Sequence, residues 1–323
     1  MIIFGITNLK SRLIMKIFEN SYARSLASLF FAVSIILVSS CKTQQQEAST
    51  SEDAFSFAFL TDIHLQPERN APAGFRQAID TVNMLDPDFV ITGGDQIMDA
   101  LGQKESRADS LYDMYAEMTE LFNMPVYNTM GNHEVFGIYK QSGVDRAHPL
   151  FGEKMFEERM GERYYAFDHK GWRFYILDSV DEREDQSGYY GHVDSLQIAW
   201  LKEDLANVDP STPIAISVHI PFITIQTQLL SGSTAANAEG LVITNSKEVL
   251  SQFDEHNLKL VLQGHLHFLE DLYAQGVHFI TGGAVSSSWW NGPRMGMEEG
   301  FLMVHVDGEE FDWEYVDYGW EVN

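Results

Sequence analysis

Leu258-Lys259-Leu260-Val261-Leu262-Gln263-Gly264-His265-Leu266-His267 is an apolar run closed by a glycine and two histidines two residues apart. A strand that delivers metal ligands at its end has this pattern. Side chains at i and i+2 leave a strand on one face, so an extended conformation through Leu266 aims both imidazoles at one site. Two imidazoles do not complete a metal site, so the remaining ligands have to come from elsewhere in the chain.

The same arrangement recurs upstream. Phe55–Leu60 is an apolar, aromatic run ending in Thr61-Asp62-Ile63-His64. Phe89–Thr92 ends in Gly93-Gly94-Asp95, Pro125–Asn128 in Met130-Gly131-Asn132-His133-Glu134, and Pro213–Val218 in His219. Helical spacing of apolar residues predicts helices over Phe75–Leu85, 104–122, 151–160, Leu196–Leu205 and Ser246–His256. Residues 135–150 and 224–245 read as long loops. Arg163–Phe167 with Trp172–Leu177, and later Phe301–Val306 with Phe311–Val316, read as hairpin-like pairs, and Val277–Thr281 as a further strand. Strands alternating with helices in the first half predict a largely parallel sheet. The hairpins add antiparallel strands, so the fold expected is α/β, two packed mixed sheets with helices on their outer faces.

In open α/β sheets, sites form outside the carboxyl ends of the strands. Asp62, His64, Asp95, Asn132, His133, His219, His265 and His267 all follow strand-like runs. Carboxylates can bridge two cations and offset their repulsion, while imidazoles and an amide oxygen fill the other positions. Two metals ~3.5–4 Å apart clamp a phosphate and lower the pKa of bound water toward neutrality, which gives a hydroxide nucleophile. The mixed N/O set, without thiolate, suits transition metals such as Mn, Fe or Zn.

These residues resemble, in order, the five motifs of the calcineurin-like metallophosphoesterases: Asp62-Ile63-His64, Gly94-Asp95, Gly131-Asn132-His133-Glu134, His219 and Gly264-His265-Leu266-His267. The resemblance implies a four-layered αββα sandwich. It implies one metal held by Asp62, His64, Asp95 and His267 and a second held by Asp95, Asn132, His219 and His265, with Asp95 bridging. His133 would then be catalytic rather than a ligand, assisting the leaving oxygen. The carboxylate that orients this histidine is usually aspartate, and here its position holds Glu134. Purple acid phosphatases place a tyrosine three residues after the bridging aspartate. Met98 stands there, so an iron–tyrosinate site is not expected. Gly188–Leu205 and Gly282-Gly283-Ala284 resemble the branch containing bacterial cyclic-nucleotide phosphodiesterases and Mn-dependent nucleotide diphosphate hydrolases. The expected activity is hydrolysis of a phosphodiester or nucleotide. A phosphomonoesterase acting on extracellular nucleotides or sugar phosphates, and a non-catalytic metal-binding lipoprotein, are the alternatives.

Outside this set, His192 in Tyr190-Gly191-His192 could reach the site from a loop. Trp289, Asn291 and Arg294 could bind substrate, because tryptophan stacks on bases or sugars and arginine grips phosphate. Packing of both Trp289 and Trp290 under their loop is the competing expectation. Asp178 also follows a strand, where a cap or hydrogen-bonding role, rather than metal binding, is expected.

Residues 1–40 carry Lys10, Arg12, Lys16 and Arg24 and the apolar run Leu26–Val38, which reads as a secretory leader. Cys41, the single cysteine, follows Leu37-Val38-Ser39-Ser40 and resembles a lipobox, so a lipid anchor at Cys41 and an exported, cell-envelope location are expected. Residues 41–54 are polar and aperiodic and read as a disordered tether. Residues 55–323, roughly 270 in number, suffice for one phosphoesterase domain. The net charge of −26 argues against nucleic-acid binding and leaves the lipid anchor as the membrane contact. It also repels phosphate-bearing substrates, so a site for them needs local positive charge.

Overall fold

A computed structural model describes residues 53–322. The expected leader, Cys41 and nearly all of the expected tether lie outside the described residues. The first strand, β1 (Phe55–Leu60), shows how the layers arise. Its side chains alternate between two buried faces. Phe55, Phe57 and Phe59 enter a cluster with Phe89, Trp172, Phe174 and Leu262, while Ala58 and Leu60 enter the cluster that holds Phe75, Ala78 and Ile79. Phe57 stacks on Phe89 at 5.0 Å and meets Phe174 edge-on at 5.6 Å. Burying such a phenyl ring is worth ~1.5–3 kcal/mol.

β1, β2 (Phe89–Thr92) and β3 (Val126–Asn128) run parallel, with β12 (Gly300–Asp307) and β13 (Glu310–Asp317) added antiparallel, in the order β13-β12-β1-β2-β3. The second sheet contains β4 (Tyr165–His169), β5 (Trp172–Ile176), β8 (Pro213–Ser217), β9 (Asn257–Gln263), β10 (Leu269–Ala274) and β11 (Val277–Gly282). Its order is β10-β11-β9-β8-β5-β4, with β5, β8, β9 and β11 parallel. Helices α1 (Ala71–Leu85) and α2 (Glu105–Thr119) pack with the outward residues of the first sheet. The second sheet's outward Ile214, Ile216 and Val261 share a cluster with Leu201 and Leu205 of α4 (Ser195–Leu205), which follows the short α3 (Lys154–Met160). The result is the four-layered αββα sandwich.

Some elements differ from the sequence reading. β10 escaped it because Leu269-Glu270-Asp271-Leu272-Tyr273-Ala274 is an edge strand, where acidic residues are tolerated. β6 (Val180–Glu182) and β7 (Tyr189–Gly191) form a two-stranded ribbon too short to show periodicity. Part of the long loop is a helix, α5 (Gln226–Ser231). The helix expected over 246–256 shortens to α6 (Ser246–Leu250) and a 3-10 turn at Ser251–Phe253.

Arg163 ties several elements together. Its guanidinium reaches Glu153 (3.1 Å), Glu157 (3.6 Å), Asp178 (2.5 Å) and Asp194 (2.6 Å). Asp178 also accepts the Val180 N–H at 2.9 Å, a hydrogen-bonding role. One cation cannot neutralise four carboxylates. Burial and Asp178 push Glu153 up to about 9 despite Arg163, and burial pushes Asp178 up to about 6. A carboxyl raised above its ordinary 4.5 contributes stability that is complete below that value and lost as pH climbs through the folded value. Between pH 5 and 9 the melting temperature of Glu153→Gln should therefore rise relative to the parent, by about 2–4 °C if ~1 kcal/mol is recovered. Calorimetry of both metal-loaded proteins across that range checks it, and parallel curves would contradict it.

Candidate metal centre

All the candidate ligands sit just beyond the carboxyl ends of strands. Asp62 and His64 follow β1, Asp95 follows β2, Asn132 follows β3, His219 follows β8, and His265 and His267 follow β9. The extended conformation does not persist through Leu266, contrary to the simplest reading of the pair. β9 stops at Gln263, and the Leu266 N–H turns back onto the Gly264 oxygen at 2.8 Å. His265 and His267 have φ of 71° and 48°, and Asp62, His64 and Asp95 also lie between 48° and 56°. Residues with a Cβ avoid this region, at a cost of order 1–3 kcal/mol each.

Surrounding bonds hold the strained segments in place. Asp62 N–H donates to Gly94 O (3.0 Å), His64 N–H to Asp95 O (2.8 Å) and His265 N–H to the Asp62 carboxylate (2.9 Å). Gly264 is required by close approach, since a Cβ there would stand 2.0 Å from Thr61 Oγ1. Thr61 in turn donates to Asp62 Oδ2 at 2.7 Å.

The orientation of the rings tests whether a cation fits. A carbonyl oxygen only accepts, so a ring nitrogen facing one carries the proton and the other ring nitrogen of a neutral imidazole presents a lone pair. His219 Nδ1 faces Gly93 O at 2.8 Å, His265 Nε2 faces Gly240 O at 2.9 Å, and His267 Nδ1 faces Ser287 O. The lone pairs of His219 Nε2, His265 Nδ1 and His267 Nε2 therefore point inward, where they meet other acceptors. His219 Nε2 lies 3.2 Å from Asp95 Oδ1, 3.1 Å from Asn132 Oδ1 and 3.3 Å from His265 Nδ1. His267 Nε2 lies 3.2 Å from Asp62 Oδ1 and 2.9 Å from His64 Nε2. Asp62 Oδ1 is buried and has no hydrogen-bond partner.

Lone pairs converging at these distances repel unless a proton or a cation stands between them. The residues fit two cations. Burial disfavours a charged His219, yet Asp95 outweighs it and pushes His219 up to about 9. Burial and His219 hold His265 down at about 4. Burial raises Asp62, but His267 and His219 bring it to about 2. His64, Asp95 and His133 gather toward the rim, while the other donors form two halves, Asp62, His64 and His267 in one and Asp95, His219 and His265 in the other. Asp95 spans them, with Oδ1 toward His219 and Oδ2 3.6 Å from His64 Nε2.

His133 stands at the rim with its side chain one-fifth exposed. Its Nδ1 donates to Met98 O, and its Nε2 lies 3.8 Å from Asp95 Oδ2. Glu134 does not orient this ring. Its carboxylate is fully buried and accepts the backbone N–H groups of Asp95 (2.9 Å), Gly131 (2.8 Å) and Ile97 (3.1 Å). The longer side chain reaches past His133 to brace the loop that carries Asp95, and the Met98 carbonyl orients the ring. Met98 thus contributes through its backbone.

His192 Nδ1 meets Thr244 Oγ1 at 3.3 Å and its ring packs on Tyr190, apart from the ligand cluster. Strand parity explains this. Tyr190 of β7 and His192, just past its end, fall two residues apart, whereas Tyr189 takes the opposite face of β7 and lies edge-on to His265 at 6.0 Å. Tyr189 is the site residue that sequence reading passed over, and strand alternation, which puts it on the face opposite Tyr190, is the signal that finds it. The two tryptophans separate in the same way. Trp290 is buried, and its Nε1 donates to Ile63 O at 2.9 Å. Trp289 contacts the site, its ring 4.4 Å from that of His267. Asn291 braces the turn by donating to Ser288 O at 2.8 Å. Arg294 packs its guanidinium 4.8 Å from the centre of the Trp289 ring.

A bipartite Asp/Asn/His centre at the carboxyl edge of an αββα sandwich defines a metal-dependent phosphoester hydrolase. The chain belongs to the calcineurin-like phosphoesterase family, whose model it matches over residues 55–269. It is 24% identical over 217 residues to the 3′,5′-cyclic adenosine monophosphate phosphodiesterase CpdA of Haemophilus influenzae, covering 64% of this chain and 68% of that one. The fold is shared with a dimetal phosphatase from Danio rerio, with TM-score 0.58, 15% identity and coverage of 82% of this chain and 96% of that one. It is also shared with a purple acid phosphatase from yellow lupin, with TM-score 0.52, 15% identity and coverage of 82% and 52%.

Proposed function

We propose that this enzyme hydrolyses phosphodiester or nucleotide substrates in the cell envelope. The observation that carries the chemistry is the divided ligand set with His133 reachable at its rim. Two transition-metal ions, of which Mn, Fe and Zn suit the N/O donors, supply an activated water and a clamp for the phosphoryl oxygens. Asp95 holds both halves of the site in register. His133 keeps its Nδ1 proton on Met98 O, so Nε2 is the nitrogen that hands a proton to the leaving oxygen.

Preference for a diester or nucleotide is supported by the cyclic-nucleotide phosphodiesterase relative. The test compares an activated phosphodiester with an activated phosphomonoester, with Mn added. Faster turnover of the diester is expected. Faster turnover of the monoester would make the enzyme a phosphomonoesterase, and no turnover of either with metal bound would overturn the reading. The envelope location rests on the basic and apolar leader followed by Cys41. Cys41→Ala should move the protein from the membrane fraction to the soluble fraction, and an unchanged distribution would remove the anchor from the proposal.

A further inference from the structure

The chain carries 47 acidic against 21 basic residues. Almost any exposed guanidinium in such a protein finds a carboxylate. Among the described arginines, all but two have a carboxylate oxygen within 4.0 Å, and Arg163 has four. The two exceptions, Arg69 and Arg294, are far apart in sequence and meet at one residue. Arg69 Nη1 donates to the Trp289 carbonyl at 2.8 Å, and the Arg294 guanidinium packs on the Trp289 ring. That ring lies 4.4 Å from His267 and 5.9 Å from His64, both candidate ligands of the first metal. Arg294 Nε is buried with no hydrogen-bond partner.

Both arginines sit on constrained backbone. Arg69 and Asn70 each have φ of 56°. Arg294 and Met297 exchange two backbone hydrogen bonds of 2.9 Å around Met295 and Gly296, whose φ values are 52° and 83°. This is the geometry of a tight hairpin turn with positive φ at both central positions. The turn holds Arg294 in place before any ligand arrives, which lowers the ordering cost of binding.

We infer that Arg69 and Arg294, joined through Trp289, form an anion subsite beside the first metal that holds a second phosphate of the substrate. The inference rests on the phosphoester reading of the same centre and deepens it. It assigns the substrate class as compounds with two linked phosphates, nucleoside diphosphate derivatives among them. Guanidinium groups suit such a group, since they bind phosphate oxygens with two parallel N–H bonds. The subsite also supplies the local positive charge that so acidic a chain needs to attract a polyanion. Trp289 and Arg294 lie beyond residue 269, where the family match ends, and Arg69 lies within it, so the subsite joins the matched region to the C-terminal segment.

The test uses metal-loaded wild type, the double variant Arg69→Gln/Arg294→Gln and the charge-retaining Arg69→Lys/Arg294→Lys. Initial rates are measured on a nucleoside diphosphate sugar, with two phosphates, and on a 3′,5′-cyclic nucleotide, with one. Metal content and melting temperature are measured for each protein. The glutamine variant should raise KM for the diphosphate roughly 10- to 100-fold, leave the cyclic nucleotide within about 2-fold and keep its metals, with the lysine variant between. Equal losses on both substrates, or no loss on either, would overturn the subsite. Calorimetric titration with inorganic pyrophosphate reads the subsite without turnover: weaker binding by the glutamine variant supports it, and unchanged binding refutes it. If wild type hydrolyses neither substrate with both metals bound, the phosphoesterase reading fails, and the titration still decides the subsite.

Discussion

Replacing His133 with alanine is expected to lower kcat about 10²–10⁴-fold, the range for loss of a positioned acid or base, with both metals retained. The imidazole contacts the centre only at its rim. Its Nε2 is 3.8 Å from Asp95 Oδ2 and its Nδ1 is committed to the Met98 carbonyl. The backbone N–H of residue 133, which donates to Asp95 Oδ1 at 2.9 Å, survives the substitution. Asp95 therefore keeps its support while the proton donor is lost. A leaving group with a low pKa needs little protonation, so the deficit should shrink for 4-nitrophenyl esters and widen for alkyl esters. Kinetics with a leaving-group series and metal analysis check both points. Loss of both metals in this variant would make His133 a ligand and contradict its role.

Asp95→Asn should have a still larger effect, with turnover lower by on the order of 10³-fold or more, since losing several kcal/mol of metal-derived stabilisation multiplies the rate loss tenfold per 1.36 kcal/mol. Asparagine preserves the shape and one oxygen but removes the charge that offsets repulsion between two cations. Asp95 faces His219 through one oxygen and His64 through the other, so both halves of the centre lose an anionic ligand together. Metal content should drop toward one ion or none. The two histidines that follow β9 offer the contrast. His267→Ala should deplete the ion held with Asp62 and His64, and His265→Ala the ion held with Asn132 and His219. Equal loss from both sites in either variant would contradict the division.

Much of this site was legible because strand ends announce themselves locally. An apolar run followed by Asp, Asn or His reports both the element and its carboxyl edge, and β1, β2, β3, β8 and β9 all carry that pattern. The edge strand β10 and the ribbon β6–β7 were not legible, because neither is long or apolar enough to display a period. His192 and Tyr189 show a subtler loss. The segment drew attention through its histidine, but a strand places alternate residues on opposite faces, and the phase of that alternation is set by pairing with β6.

Glu134 and the imidazoles mark the boundary. Residue types, their order along the chain and their positions at strand ends follow from the sequence alone, because hydrophobic periodicity is a local property. Which nitrogen of each ring faces inward does not. His219 is oriented by the carbonyl of Gly93, 126 residues away, and His267 by that of Ser287. Backbone carbonyls carry no residue identity, so no motif encodes them. Glu134 turns to the N–H groups of Asp95, Ile97 and Gly131 for the same reason: only the packed loops bring those donors within its reach. The meeting of Arg69 and Arg294 at Trp289 likewise exists only once the C-terminal loop folds against the end of β1.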